Sequence, residues 1–96
     1  MWEPEDEEIP EEMLKLRQLL DDEGFLYKVN SRESHTYGRT YRIQFYVHGK
    51  WYSAICGPAS NGGEEGLLEL WDYDPFADPV GSLTAIEVAQ RTRIMF

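Results

Sequence analysis

The chain has 96 residues, 42% of them hydrophobic and 14% aromatic, the composition of one folded domain with a single core. Its formal charge is −9, a balance that disfavours ordinary DNA or RNA binding, because neutralising phosphates needs clustered Lys and Arg. One cysteine excludes an internal disulfide, no apolar run approaches the ~20 residues of a membrane span, and the acidic N-terminus is opposite in sign to a signal peptide. The expectation is a cytoplasmic protein.

Residues 1–8 read as an acidic arm, and residues 9–96 as a single α+β domain. Pro10 suits the first turn of a helix, where Glu11 and Glu12 complement the dipole. Ile9, Met13, Leu16 and Leu20 then form one apolar stripe, Glu11 and Lys15 stand four apart in the favourable order, and Gly24 ends the helix. Residues 25–30 alternate Phe25, Tyr27 and Val29 against Leu26, Lys28 and Asn30, which predicts a first strand. Residues 31–38 read as a polar connection.

Residues 39–56 carry the clearest pattern. Apolar and polar residues alternate with period two on either side of His48-Gly49, a two-residue hairpin turn. That turn predicts a register with Val47 opposite Lys50, Phe45 opposite Tyr52, Ile43 opposite Ala54 and Tyr41 opposite Cys56. Tyr41, Ile43, Phe45, Val47, Tyr52, Ala54 and Cys56 then share a core face, leaving Arg42, Gln44, Tyr46, Trp51, Ser53 and Ile55 on the other. Residues 57–66 are dense in loop formers, residues 67–71 give a fourth strand of ambiguous facing, and Pro75 and Pro79 make residues 72–79 irregular. Thr84 and Glu87 are spaced as a capping box, with Leu83 and Val88 as a hydrophobic staple, and Ala85, Val88, Ala89, Thr92, Met95 and Phe96 line one face of a last helix. The order α-β-β-β-β-α predicts a four-stranded antiparallel sheet with both helices on one side.

Charge is unevenly placed. Residues 1–12 hold Glu3, Glu5, Asp6, Glu7, Glu8, Glu11 and Glu12, and residues 57–81 hold Glu64, Glu65, Glu69, Asp72, Asp74 and Asp78, with no base in either block. Residues 28–56 between them carry Lys28, Arg32, Arg39, Arg42 and Lys50 against Glu33 alone. Such blocks suit a partner with a basic nucleic-acid-binding groove; the plainer alternative is solubility.

Few residues carry the signs of catalysis. Cys56 with His48 or His35 is a candidate thiol–imidazole pair, but no third orienting group is apparent and the hairpin register places Cys56 in the core. Asp72, Asp74 and Asp78 are oxygen donors at loop spacing, yet they fail the EF-hand pattern, and turn chemistry accounts for them equally well. The glycine-rich loop matches neither phosphate-binding fingerprint; with Arg39, Arg42, Ser60, Asn61, Gly62 and Gly63 it remains a candidate for a small anion. No catalytic residue, cofactor or metal is expected. Tyr46 and Trp51 face each other on the non-core side and form a binding patch if no element covers them.

At Arg39-Thr-Tyr41, Trp51-Tyr-Ser-Ala-Ile-Cys-Gly57, Gly66-Leu-Leu-Glu-Leu-Trp71 and Gly81-Ser-Leu-Thr-Ala-Ile-Glu-Val-Ala-Gln-Arg91, the chain resembles small phage and prophage proteins of Gram-positive bacteria. The resemblance spans roughly residues 12–93 and implies no catalytic residues. It implies a setting similar to that of inhibitors of host defence, anti-CRISPR proteins among them, some of which act as DNA mimics.

Two functions follow as expectations. The first is a non-enzymatic inhibitor that binds a host nucleic-acid-directed defence enzyme, a CRISPR effector nuclease foremost, with Trp51 and Tyr46 as anchors and Glu64, Glu65, Asp72 and Asp74 as an acidic rim. The alternative is a small-ligand binder that sequesters a nucleotide signal through the glycine-rich loop.

Overall fold

A computed structural model describes residues 9–34, 38–58, 60 and 62–94. The acidic arm 1–8, His35, Asn61, Met95 and Phe96 therefore lie outside the described residues. The elements are α1 (Glu11–Glu23), β1 (Leu26–Ser34), β2 (Gly38–Val47), β3 (Lys50–Cys56), a 3-10 turn at Gly63–Glu65, β4 (Leu68–Trp71), β5 (Val80–Leu83) and α2 (Ala85–Arg91). All strands are antiparallel to their neighbours and follow chain order across the sheet.

The central hairpin has the register its sequence predicts. Val47 pairs with Lys50, Phe45 with Tyr52, Ile43 with Ala54 and Tyr41 with Cys56. His48 and Gly49 both take positive φ, 51° and 81°, as a turn whose twist matches the strands requires. Tyr41, Ile43, Phe45, Val47, Ala54 and Cys56 are buried, and Tyr52 stacks on Phe45 with ring centroids 5.5 Å apart.

Both helices cover that face. Met13, Leu16 and Leu20 of α1 and Ala85, Val88 and Ala89 of α2 join Leu68, Leu70 and Leu83 in one core. Helix α1 is also tied to β1 through Tyr27, whose hydroxyl donates to Asp21 Oδ1 and accepts from Arg17 Nε. The capping box of α2 is complete: Thr84 Oγ1 accepts from the Glu87 amide, and Glu87 Oε1 accepts from the Thr84 amide. Glu12 reaches across from α1 to accept from the Ala85 amide at 2.8 Å, so one carboxylate fixes the two helices against each other.

The sheet corrects the sequence reading twice. It has five strands, not four, because Val80–Leu83 pairs with β4. This run is short, contains Gly81, takes a left-handed turn at Ser82 (φ 59°) and pairs through a register shift, so no alternation marks it. The supposed polar connection 31–38 largely belongs to strands: β1 runs to Ser34 and β2 starts at Gly38. Ser31, Arg32 and Glu33 pair with Tyr41, Thr40 and Arg39, and the opposite charges of Glu33 and Arg39 stand 3.6 Å apart across the strands. The described part of the last helix is also shorter than expected, ending at Arg91. No described helix is long and apolar enough to cross a membrane.

Candidate functional site

Because strand side chains alternate, the face opposite the helices is defined by the same register that defines the core. It carries Leu26, Lys28 and Asn30 of β1, Arg42, Gln44 and Tyr46 of β2, Trp51, Ser53 and Ile55 of β3, and Glu69 and Trp71 of β4. Among the described residues no helix packs on it. Leu26 is 62% exposed, Tyr46 40% and Trp51 36%, high values for large apolar side chains.

Four aromatic rings gather at the hairpin end of this face. Tyr46 and Trp51 are cross-strand partners with centroids 5.3 Å apart, and Lys28 Nζ stands 5.6 Å from the Trp51 ring. Trp71 and Tyr73 form a second pair at 4.8 Å. The Tyr73 hydroxyl accepts from Gln44 Nε2 at 2.7 Å, which lays this residue over the open face just past the end of β4. Such tilted pairs contribute about 1 kcal/mol each beyond area burial.

The loop after β4 is built by carboxylates. Asp72 Oδ2 accepts from Lys50 Nζ at 2.8 Å, and Asp72 Oδ1 accepts from the Asp74 amide. The hydrogen bond from Lys50 holds the Asp72 carboxyl below its ordinary pKa, and the same bond raises that of Lys50. Asp74 Oδ1 accepts from the Phe76 amide, while the Asp74 carbonyl accepts from both the Ala77 amide and the Trp71 indole. Asp72 and Asp74 thus shape a turn, and among the described residues no group of three or more His, Cys, Asp or Glu is placed to hold a metal.

Tyr46, Trp51, Asp72 and Asp74 are therefore brought to one end of the sheet. Glu64 and Glu65 are not. They sit in the 3-10 turn before β4, at the end where Tyr41 pairs with Cys56, so the acidic groups lie at both ends of β4 and not along one rim.

The residues of the glycine-rich loop divide similarly. Arg39 and Arg42 are three apart on a strand and point to opposite faces. Arg39 donates to Ser31 and pairs with Glu33, whereas Arg42 donates to Asn30 on the open side. Ser60 Oγ accepts from the Gly57 amide and donates to its carbonyl, closing the loop on itself. A Cβ on Gly63 would lie 1.7 Å from the Gly57 carbonyl oxygen, so close backbone contact accounts for glycine there. Beside this loop is an open concavity of about 290 Å³, whose walls include Arg39, Tyr41, Cys56, Gly57 and Glu64.

Cys56 forms part of those walls but is buried, and burial pushes its thiol pKa up, away from a reactive thiolate. His48 is at the hairpin tip, at the other end of β3, where its Nε2 lies 3.0 Å from the Arg93 carbonyl. The geometry therefore separates Cys56 from His48.

Sequence reasoning missed Trp71, Tyr73 and Phe76. Leu67 and Leu68 are adjacent apolar residues, so alternation alone left the facing of this strand open; its pairing with β3 resolves it, with Ser53 opposite Trp71. No protein-family model matches the chain, and comparison with curated proteins and with solved structures gave no match.

Proposed function

We propose that this is a non-enzymatic binding protein that inhibits a host nucleic-acid-directed defence enzyme, foremost a CRISPR effector nuclease, in the cytoplasm of an infected or lysogenic bacterium. The observation that carries the binding reading is the open sheet face, where Tyr46 and Trp51 stand paired and partly exposed, with no described helix packed over them. Aromatic side chains of this kind dominate the energetics of protein interfaces when a partner desolvates them. The choice of partner rests on the phage-like sequence pattern and on the acidic blocks, which suit a basic nucleic-acid groove. On this reading Trp51 and Tyr46 hold the complex, while Asp72, Asp74, Glu64 and Glu65 steer the encounter.

The test is binding of the purified protein to the effector nuclease with and without guide RNA. Competition with guide RNA or target DNA is expected, with association slowed by salt. Inhibition unchanged after neutralising Glu64, Glu65, Asp72 and Asp74 would remove the DNA-mimic element.

A second reading is favoured by the concavity beside Arg39, which is of a size to take a small ligand such as a nucleotide signal. It predicts a rise in melting temperature with cyclic nucleotides that Arg39→Gln abolishes. Arg42 belongs to the other face and is not needed for it.

A further inference from the structure

Apolar side chains on a protein surface are common, but a large ring with almost no protein contact is not. Phe76 is 97% exposed, the extreme value among the large hydrophobics, and the backbone beneath it is held in place. Asp74 and Pro75 occupy the first two positions of a β-turn, where Asp supplies a side-chain acceptor and Pro presets φ. The turn closes with the Ala77 amide donating to the Asp74 carbonyl at 3.2 Å. Asp74 Oδ1 fixes the Phe76 amide at 2.9 Å. The Trp71 indole binds that same Asp74 carbonyl at 3.1 Å, anchoring the turn to the open sheet face. Lys50 holds the base of the loop through Asp72.

A ring displayed on a braced turn loses little conformational entropy on docking, which is what an interface anchor requires. Apart from Lys50, which is paired with Asp72, the charges of the loop are acidic. Asp74 and Asp78 flank the turn, and residues 57–81 contain no base.

We infer that the Asp74–Ala77 turn is a preformed plug: Phe76 enters an apolar pocket on a partner protein, and Asp74 and Asp78 meet basic groups at that pocket's edge. This rests on the binding function proposed above and adds to it the residue that enters the partner. It commits the docking surface to the hairpin end of the open face, where the braced loop bearing Tyr73 and Phe76 is tied to β2, β3 and β4 through Gln44, Lys50 and Trp71. The acids at Glu64 and Glu65, at the far end of β4, are left outside the pocket's edge.

The experiment measures affinity for the immobilised effector nuclease, with and without guide RNA, for the wild-type protein, Phe76→Ala, Phe76→Leu, Asp78→Asn and Trp51→Ala. Melting temperature and sedimentation of each free protein accompany it. Phe76→Ala is expected to weaken binding about thirtyfold or more with an unchanged melting temperature, and Phe76→Leu to recover part of the loss. Asp78→Asn should mainly slow association and flatten its salt dependence.

Equal affinity of wild type and Phe76→Ala overturns the plug while leaving the binding function intact, especially if Trp51→Ala still weakens the complex. A wild-type protein that does not bind the effector overturns both. Self-association of the free protein that Phe76→Ala abolishes also overturns the inference, because the occupant is then a second copy of the chain.

Discussion

The two faces of the sheet use the same residue types to opposite ends. On one, Phe45 and Tyr52 stack on the helix-covered side, and Phe45 has no exposed surface. On the other, one strand register away, Tyr46 and Trp51 pair at nearly the same centroid distance but stay more than a third exposed. Ring contacts alone therefore do not distinguish core from surface; the covering layer does. Where helices supply that layer, an aromatic pair stabilises the fold. Where nothing in the described chain supplies it, the pair remains available for a partner.

Substitutions on the two faces should separate stability from binding. The largest expected effect is Phe45→Ala, which leaves a cavity under α1 and should cost about 3–5 kcal/mol in denaturant unfolding. Next comes Gly63→Ala, on the loop and not on either face. Its new methyl meets the Gly57 carbonyl, and overpacking of this kind costs about 1–3 kcal/mol, with Ser60→Ala giving a smaller loss in the same assay. Thr84→Ala removes one arm of the capping box and should lower stability by about 1 kcal/mol, read as a shift in melting temperature.

Trp51→Ala sharpens the comparison most. Loss of its ring pair with Tyr46 should cost about 1 kcal/mol of stability, while affinity for the effector drops about thirtyfold. A large stability loss with unchanged affinity would place Trp51 with the core and end its role as an anchor.

The smallest effect concerns Asp72 and Lys50, an exposed pair that contributes little to stability. The Asp72 carboxyl is depressed by its bond from Lys50, so its contribution is present above the ordinary carboxylate range and is lost as pH falls through the depressed value. Lys50 is raised, so its contribution is lost only as pH rises through that raised value. The loop tether should therefore hold through neutral pH and loosen in acid. Following the Asp72 carboxyl by NMR titration tests this, with Lys50→Ala expected to return it towards its ordinary range.

Most of the core was legible because period two and a two-residue turn leave the central hairpin only one register that buries Ile43 and Phe45 together. The helix ends were legible from Gly24 and from Thr84 with Glu87, since each satisfies free backbone groups by local chemistry. Strand β5 was not, because a four-residue run broken at Ser82 owes its form to β4 and not to its own sequence. The site divides along the same line. Tyr46 and Trp51 could be placed from the register of their own hairpin, whereas Tyr73 acquires its position from Gln44, 29 residues away. The exposure of Phe76 depends on what fails to pack against it, which no local pattern encodes.

A sheet that does not close on itself has two borders, and these two are unlike. Strand β5 is short, bulged and preceded by Pro79, a poor template for any further chain. Strand β1 offers nine residues, and among the described residues no strand pairs with its outer side. Its safeguard is chemical: Lys28, Arg32 and Glu33 punctuate the strand with charge. Replacing Lys28 and Arg32 with threonine would keep the strand's propensity but strip that protection. The same residues that look incidental to the fold thus help keep each molecule from lengthening its sheet with a neighbour's strand.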